Sequence, residues 1–143
     1  MKKFLATLTL MILTLGAYAG SGKAIVPNWG YNGTYATHTQ VYISNPTAHT
    51  LNVYFTAYKS DGSALSTVTE EGQISNNTLA AGKSGYFAIP ASPGSNFGYA
   101  EITWSNQGSD EDLVGLVAHA VVYKDDSVLN LAYSIPINNG QPF

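Results

Sequence analysis

Three histidines, His38, His49 and His119, and two acidic clusters, Asp110-Glu111-Asp112 and Asp125-Asp126, are the groups of this chain best able to move protons or hold cations. Acyl transfer needs a nucleophile beside a base, and a calcium loop needs a fixed Asp/Asn/Gly spacing. Glycoside hydrolysis needs two carboxyls within about 10 Å of each other. The sequence offers no such pattern: no cysteine, no Gly-x-Ser-x-Gly elbow, no His-Glu-x-x-His and no phosphate-cradling loop. His119 shares its phase with Val117 and Val121 in an apolar run, the setting of a hydrogen-bonded structural histidine. His38 and His49 flank a strand ending at Ser44 and read as surface groups. The acidic clusters sit at opposite ends of one strand, so they read as solvated turn charges. We therefore expect a non-enzyme, with no catalytic residue, metal ligand or cofactor.

The aromatic residues carry more information. The chain has ten tyrosines and two tryptophans, and Tyr54 and Tyr58 fall on the polar phase of its clearest strand beside Asn52. Outward-facing rings stack on sugars or anchor a protein interface. With Trp29 from the irregular stretch Val26-Pro27-Asn28-Trp29-Gly30-Tyr31, they form a candidate ligand surface: Trp29, Asn52, Tyr54 and Tyr58. Tyrosine is also an ordinary strand residue, so packing of these rings against neighbouring strands stays open as the alternative.

The elements that must position these residues begin after an export signal. Met1-Lys2-Lys3, the apolar run Phe4 to Ala17 and Ala17-Tyr18-Ala19 read as a cleavable signal peptide over 1–19. Removing 19 of 143 residues leaves 124, enough for one domain. That part holds four lysines against nine acids, a net charge of −5, and no arginine. Phosphate recognition depends on Lys and Arg, so nucleic acid is set aside as a partner. A neutral surface rich in hydroxyls and amides suits saccharides or other protein copies. We expect a secreted or periplasmic protein of a Gram-negative-type bacterium, with no membrane span once the signal is cleaved.

Residues 20–34, rich in Gly, Asn and Pro, read as a flexible arm, and 35–143 as the folded domain. In that domain Leu51, Val53, Phe55 and Ala57 alternate with Asn52, Tyr54, Thr56 and Tyr58, and Ala100, Ile102 and Trp104 alternate with Tyr99, Glu101 and Thr103. This period of two marks half-buried strands. Asn45-Pro46, Asp61-Gly62 and Asn76-Asn77 mark turns between such runs. Leu113 to Tyr123 is apolar at nearly every position and reads as a strand covered on both faces. The spacing predicts an all-β chain, a single antiparallel sandwich of Ig-like or jelly-roll-like type with seven or eight strands.

The layout Val41-Tyr42-Ile43-Ser44-Asn45-Pro46, Val53-Tyr54-Phe55, the Asp61-Gly62 turn, Gly98-Tyr99-Ala100-Glu101-Ile102 and Gly115-Leu116-Val117-Ala118 resembles the sensory rhodopsin transducer family and related bacterial β-sandwich modules. The resemblance covers about two-thirds of the exported part and includes no site residue. It implies a small, β-rich, oligomeric protein of ligand-binding type, while the export signal departs from a cytoplasmic transducer. The expected function is surface interaction or self-assembly with another copy or a cell-surface protein. In the assembly version the arm or the tail adds a strand to a neighbour, with Ile25 and Val26 or Ile135 and Ile137 as plugs. Pairing of both termini within their own domain is the alternative. In the carbohydrate version the aromatic surface holds a saccharide.

Overall fold

The computed structural model describes residues 20–108, 112, 113, 115–125 and 130–143. The signal segment 1–19, Asp110, Glu111 and Asp126 lie outside the described residues. Among the described residues are ten strands: β1 (Ser21–Asn32), β2 (Thr37–Ser44), β3 (Leu51–Lys59), β4 (Thr69–Gly72), β5 (Ile74–Ser75), β6 (Thr78–Leu79), β7 (Ser84–Ile89), β8 (Ser95–Asn106), β9 (Val117–Asp125) and β10 (Asn130–Pro136). The sequence alternation becomes alternation of burial. Ala100, Ile102 and Trp104 of β8 are buried, while Tyr99, Glu101 and Thr103 point outward.

Turn chemistry ends the strands where the sequence placed it. Gly62 takes φ +83°, and the Asp61 carboxylate accepts from the Ser63 amide at 2.9 Å and hydroxyl at 2.7 Å. Asn76 and Asn77 both adopt left-handed backbone, the conformation a tight hairpin between β5 and β6 requires. Asn45 is buried and fully engaged. Its amide donates to the carbonyls of His49 and Leu79, and its oxygen accepts from Thr47.

All pairings are antiparallel and belong to one sheet. One half runs β10-β9-β2-β7-β4 and the other β1-β8-β3-β6-β5. They join at the β1–β2 hairpin, where Asn32 lies opposite Thr37. Beyond that pair the strands diverge, and the buried Thr39 hydroxyl bridges them, donating to the Gly30 carbonyl at 2.9 Å and accepting from its amide at 3.1 Å. The sheet folds round until it nearly closes into a barrel. Phe55 of β3 stacks on Phe87 of β7 at 5.0 Å across the interior. Val26, Trp29, Ile43, Val53, Ile89, Ile102 and Val122 fill the same core.

Three expectations change. The chain is all-β and antiparallel, as expected, but the described residues form ten strands rather than seven or eight. The expected flexible arm is β1, which pairs with β8 from Ser21 opposite Ser105 to Asn32 opposite Ser95. Its Gly and Pro content reflects a bulge between Val26 and Trp29 rather than disorder. β9 is half-exposed: Ala118, Ala120 and Val122 face the core, and His119 faces solvent. Short apolar side chains on both phases had made it look covered. Among the described residues no helix is long and apolar enough to cross a membrane.

Candidate functional site: an aromatic face on the outer side of β1-β8-β3

β8 lies between β1 and β3 over most of its length, so register sets the neighbours on its outer side. Tyr58 lies opposite Tyr99, Thr56 opposite Glu101 and then Ile25, and Tyr54 opposite Thr103 and then Lys23. Phe97 follows on the same side of β8. Four large apolar side chains here are exposed: Ile25 at 44%, Tyr54 at 49%, Phe97 at 64% and Tyr99 at 41%.

The rings are not equivalent. Tyr58 and Tyr99 stack on each other at 5.0 Å with planes 19° apart, so each has one covered face. Tyr54 and Phe97 make no ring contact among the described residues. In the middle of the face, where Glu101 lies between Thr56 and Ile25, Lys23 Nζ meets Glu101 Oε1 at 2.6 Å, and this hydrogen bond raises the lysine pKa. At the Ser105 end Asn52 Oδ1 accepts from Gln107 at 3.0 Å and Asn52 Nδ2 donates to Ser105 at 3.3 Å. The face therefore carries exposed apolar side chains around one central ion pair, with a neutral amide-hydroxyl rim at one end.

The structure brings Asn52, Tyr54 and Tyr58 together and separates Trp29 from them. Trp29 is fully buried, donates its indole N–H to the Tyr99 carbonyl at 2.8 Å and lies against Tyr31. The bulge turns this side chain inward, so it supports the face from beneath and offers no ring to a ligand. Of the proposed assembly plugs, Val26, Ile135 and Ile137 are buried in their own domain and only Ile25 is exposed. Ile25 belongs to the aromatic face. Tyr99 and Phe97 were not singled out from the sequence, because the strand pairing that sets Tyr99 against Tyr58 has no local signal.

The other half of the sheet also carries rings outside. Tyr42 lies between Tyr86, at 5.3 Å, and His119, at 5.1 Å, while His38 stacks on Tyr123. The Tyr42 hydroxyl donates to Gln40 Oε1 at 2.5 Å and lies 2.9 Å from the Tyr123 hydroxyl. That second contact, with burial, pushes the Tyr42 pKa up to about 12. An unfolded tyrosine ionises near 10, so the native state holds the proton more tightly. Stability is then complete below pH 10 and falls as pH rises toward 12. Tyr42→Phe is expected to flatten that fall in urea melts at pH 9 to 12; an unchanged slope would refute the coupling.

His38 and His49 do not meet. His49 Nδ1 lies 2.8 Å from the Asp112 carboxylate beyond the far end of β2. Among the described residues no three His, Cys, Asp or Glu side chains gather as a metal site. A shallow cleft of about 510 Å³ lies between the β1–β2 and β7–β8 loops, lined by Gly33, Thr34, Ala36, Ser92, Pro93 and Gly94.

These features define an antiparallel all-β protein with an exposed aromatic sheet face. No family model matches the chain, and no curated protein matches it. Among solved structures it is similar to a protein of Thermotoga maritima, described as Thermotoga maritima 1070, with a TM-score of 0.54 and 17% identity over 82% of this chain and 92% of that one. The likeness is one of fold.

Proposed function

We propose that this is an exported, non-enzymatic protein of β-sandwich type that acts at the periplasm or cell exterior by surface interaction through the outer face of β1-β8-β3. The observation that carries the reading is the gathering of exposed Ile25, Tyr54, Phe97 and Tyr99 on one sheet face. Soluble proteins seldom leave such a patch uncovered without a use for it. The strand layout resembling the sensory rhodopsin transducer family, with its β-rich ligand-binding members, fits the same reading.

A saccharide is the second reading, favoured by the free ring of Tyr54 beside the Asn52, Ser105 and Gln107 rim and that of Phe97 further along the same side of β8. Each aromatic–ligand contact of this kind is worth about 1–2 kcal/mol, so losing both lowers affinity about 30-fold or more. Retention on insoluble neutral polysaccharides is expected to fall in Tyr54→Ala/Phe97→Ala while the melting temperature stays within about 2 °C. The broader reading is tested in exporting cells with a photo-crosslinking residue at position 54 or 97. A discrete protein or glycan adduct supports it. Its absence from both positions means that this face has no partner.

A further inference from the structure

Among the described residues β4, β5 and β10 end the sheet and β1 is open beyond its one pair with β2, and these edges differ in what they offer a second chain. β4 pairs only with β7, is four residues long and carries Glu70 and Glu71. β5 pairs only with β6 and has two residues. β10 pairs only with β9 through seven consecutive positions, and its sequence Asn130-Leu131-Ala132-Tyr133-Ser134-Ile135-Pro136 carries no charge. Natural sheets guard their edges with charge, brevity or cover. β4 is guarded by charge, β5 by brevity and β1 by Lys23, Pro27 and its bulge, whereas the Asn130–Ile135 stretch of β10 has no such guard.

The burial along β10 adds a second observation. Leu131, Tyr133, Ile135 and Ile137 share one phase. The last two are in the core, yet Leu131 is 51% and Tyr133 54% exposed. Across the ladder from Tyr133 stands the buried Val122, so the apolar inner surface continues past the sheet edge there. Tyr35, 51% exposed with Lys124 Nζ over its ring at 4.8 Å, extends the strip, since Lys124 lies opposite Leu131.

We propose that β10 is a dimer edge, on which two copies of this chain pair antiparallel about a twofold axis at Ala132. An antiparallel pairing of identical strands is its own complement, and an uncharged strand meets no like charge across the axis. This register sets Leu131 against Tyr133 of the second copy at both ends, which covers both exposed apolar side chains. It sets Asn130 against Ser134 and leaves Pro136, which has no N–H to donate, beyond the paired stretch. The backbone groups of every second β10 residue point away from β9 and supply the ladder. No strand leaves its own domain, so the assembly differs from one made by an exchanged arm or tail.

The chain has no cysteine, which permits a clean test on the 20–143 protein. In the proposed register the two Ala132 Cα atoms lie roughly 4.5–5.5 Å apart, within disulfide reach. The two Ser134 Cα atoms are offset by four residues, about 13 Å. Mild oxidation of Ala132→Cys is expected to give more than half disulfide dimer, and Ser134→Cys almost none. Light scattering of the unmodified protein is expected to show mass doubling with concentration, with the dissociation constant raised at least tenfold in Leu131→Lys and Tyr133→Lys. A strict monomer throughout, or a crosslink at Ser134→Cys with none at Ala132→Cys, overturns the proposal. Tyr54→Ala/Phe97→Ala is expected to dimerise normally, so failure here and failure of the aromatic-face reading are told apart.

Discussion

Trp29→Ala is expected to lower stability by about 3–5 kcal/mol, the cost of deleting a large buried side chain whose site collapses incompletely. The ring is fully buried between β1 and β8, and its N–H satisfies the Tyr99 carbonyl at 2.8 Å. The urea midpoint measures the effect, with an unchanged slope showing that the variant still unfolds as one unit. Trp29→Phe separates the two contributions: it keeps most of the apolar area but leaves that carbonyl without its donor, for about 1–3 kcal/mol. A loss below about 1 kcal/mol for Trp29→Ala would show that this ring is not a core plug, and would restore it as a candidate ligand platform.

Gly98→Ala is expected to be nearly as damaging, at about 3 kcal/mol, through overpacking rather than a cavity. Gly98 lies opposite Trp29 on one side and Lys59 on the other, in the middle strand of three. A methyl group there would collide with the Tyr58 carbonyl oxygen and sit 2.9 Å from its carbon and 3.1 Å from the Lys59 carbonyl carbon. Backbone in the middle of a sheet cannot step aside as a flexible side chain can. Gly62→Ala is the control: it faces open space at φ +83° and should lose only about 1 kcal/mol, the cost of left-handed backbone. Equal losses at the two sites would mean that the β3–β8 spacing yields easily. Because Tyr58 and Tyr99 flank the collision, a folded Gly98→Ala protein should also lose partner capture at the aromatic face.

Much of this arrangement was legible in particular residues. The alternation in Leu51–Lys59 and in Tyr99–Trp104 is a local property, since successive strand side chains point to opposite faces whatever the neighbours are. It therefore placed Asn52, Tyr54 and Tyr58 on one outward face. The Asp61-Gly62 and Asn76-Asn77 turns were equally local, being set by a carboxylate bonding its own backbone and by tolerance of positive φ. Strand pairing is non-local, and no residue near Tyr58 announces that Tyr99, 41 positions away, stacks on it.

The same distinction explains the misreadings. Gly20 to Thr34 looked like an arm because Pro27, Asn28 and Gly30 break the period of two, yet one bulge absorbs the irregularity and β8 supplies partners along the strand. Trp29 looked available because the stretch around it is irregular, and only the bulge phase decides that it points inward. Ile135 and Ile137 read either as plugs for another chain or as part of their own domain, and the core of that domain holds them.

By itself the sequence determined an all-β chain, its turns, its sparsely charged and amide-rich character, and which side chains share a strand face, because these follow from composition, backbone sterics and nearest neighbours. Tertiary structure decided which strands lie side by side, which edge is left unguarded and which rings meet. Those outcomes depend on hydrogen bonds and packing between residues tens of positions apart, and local periodicity carries no record of them.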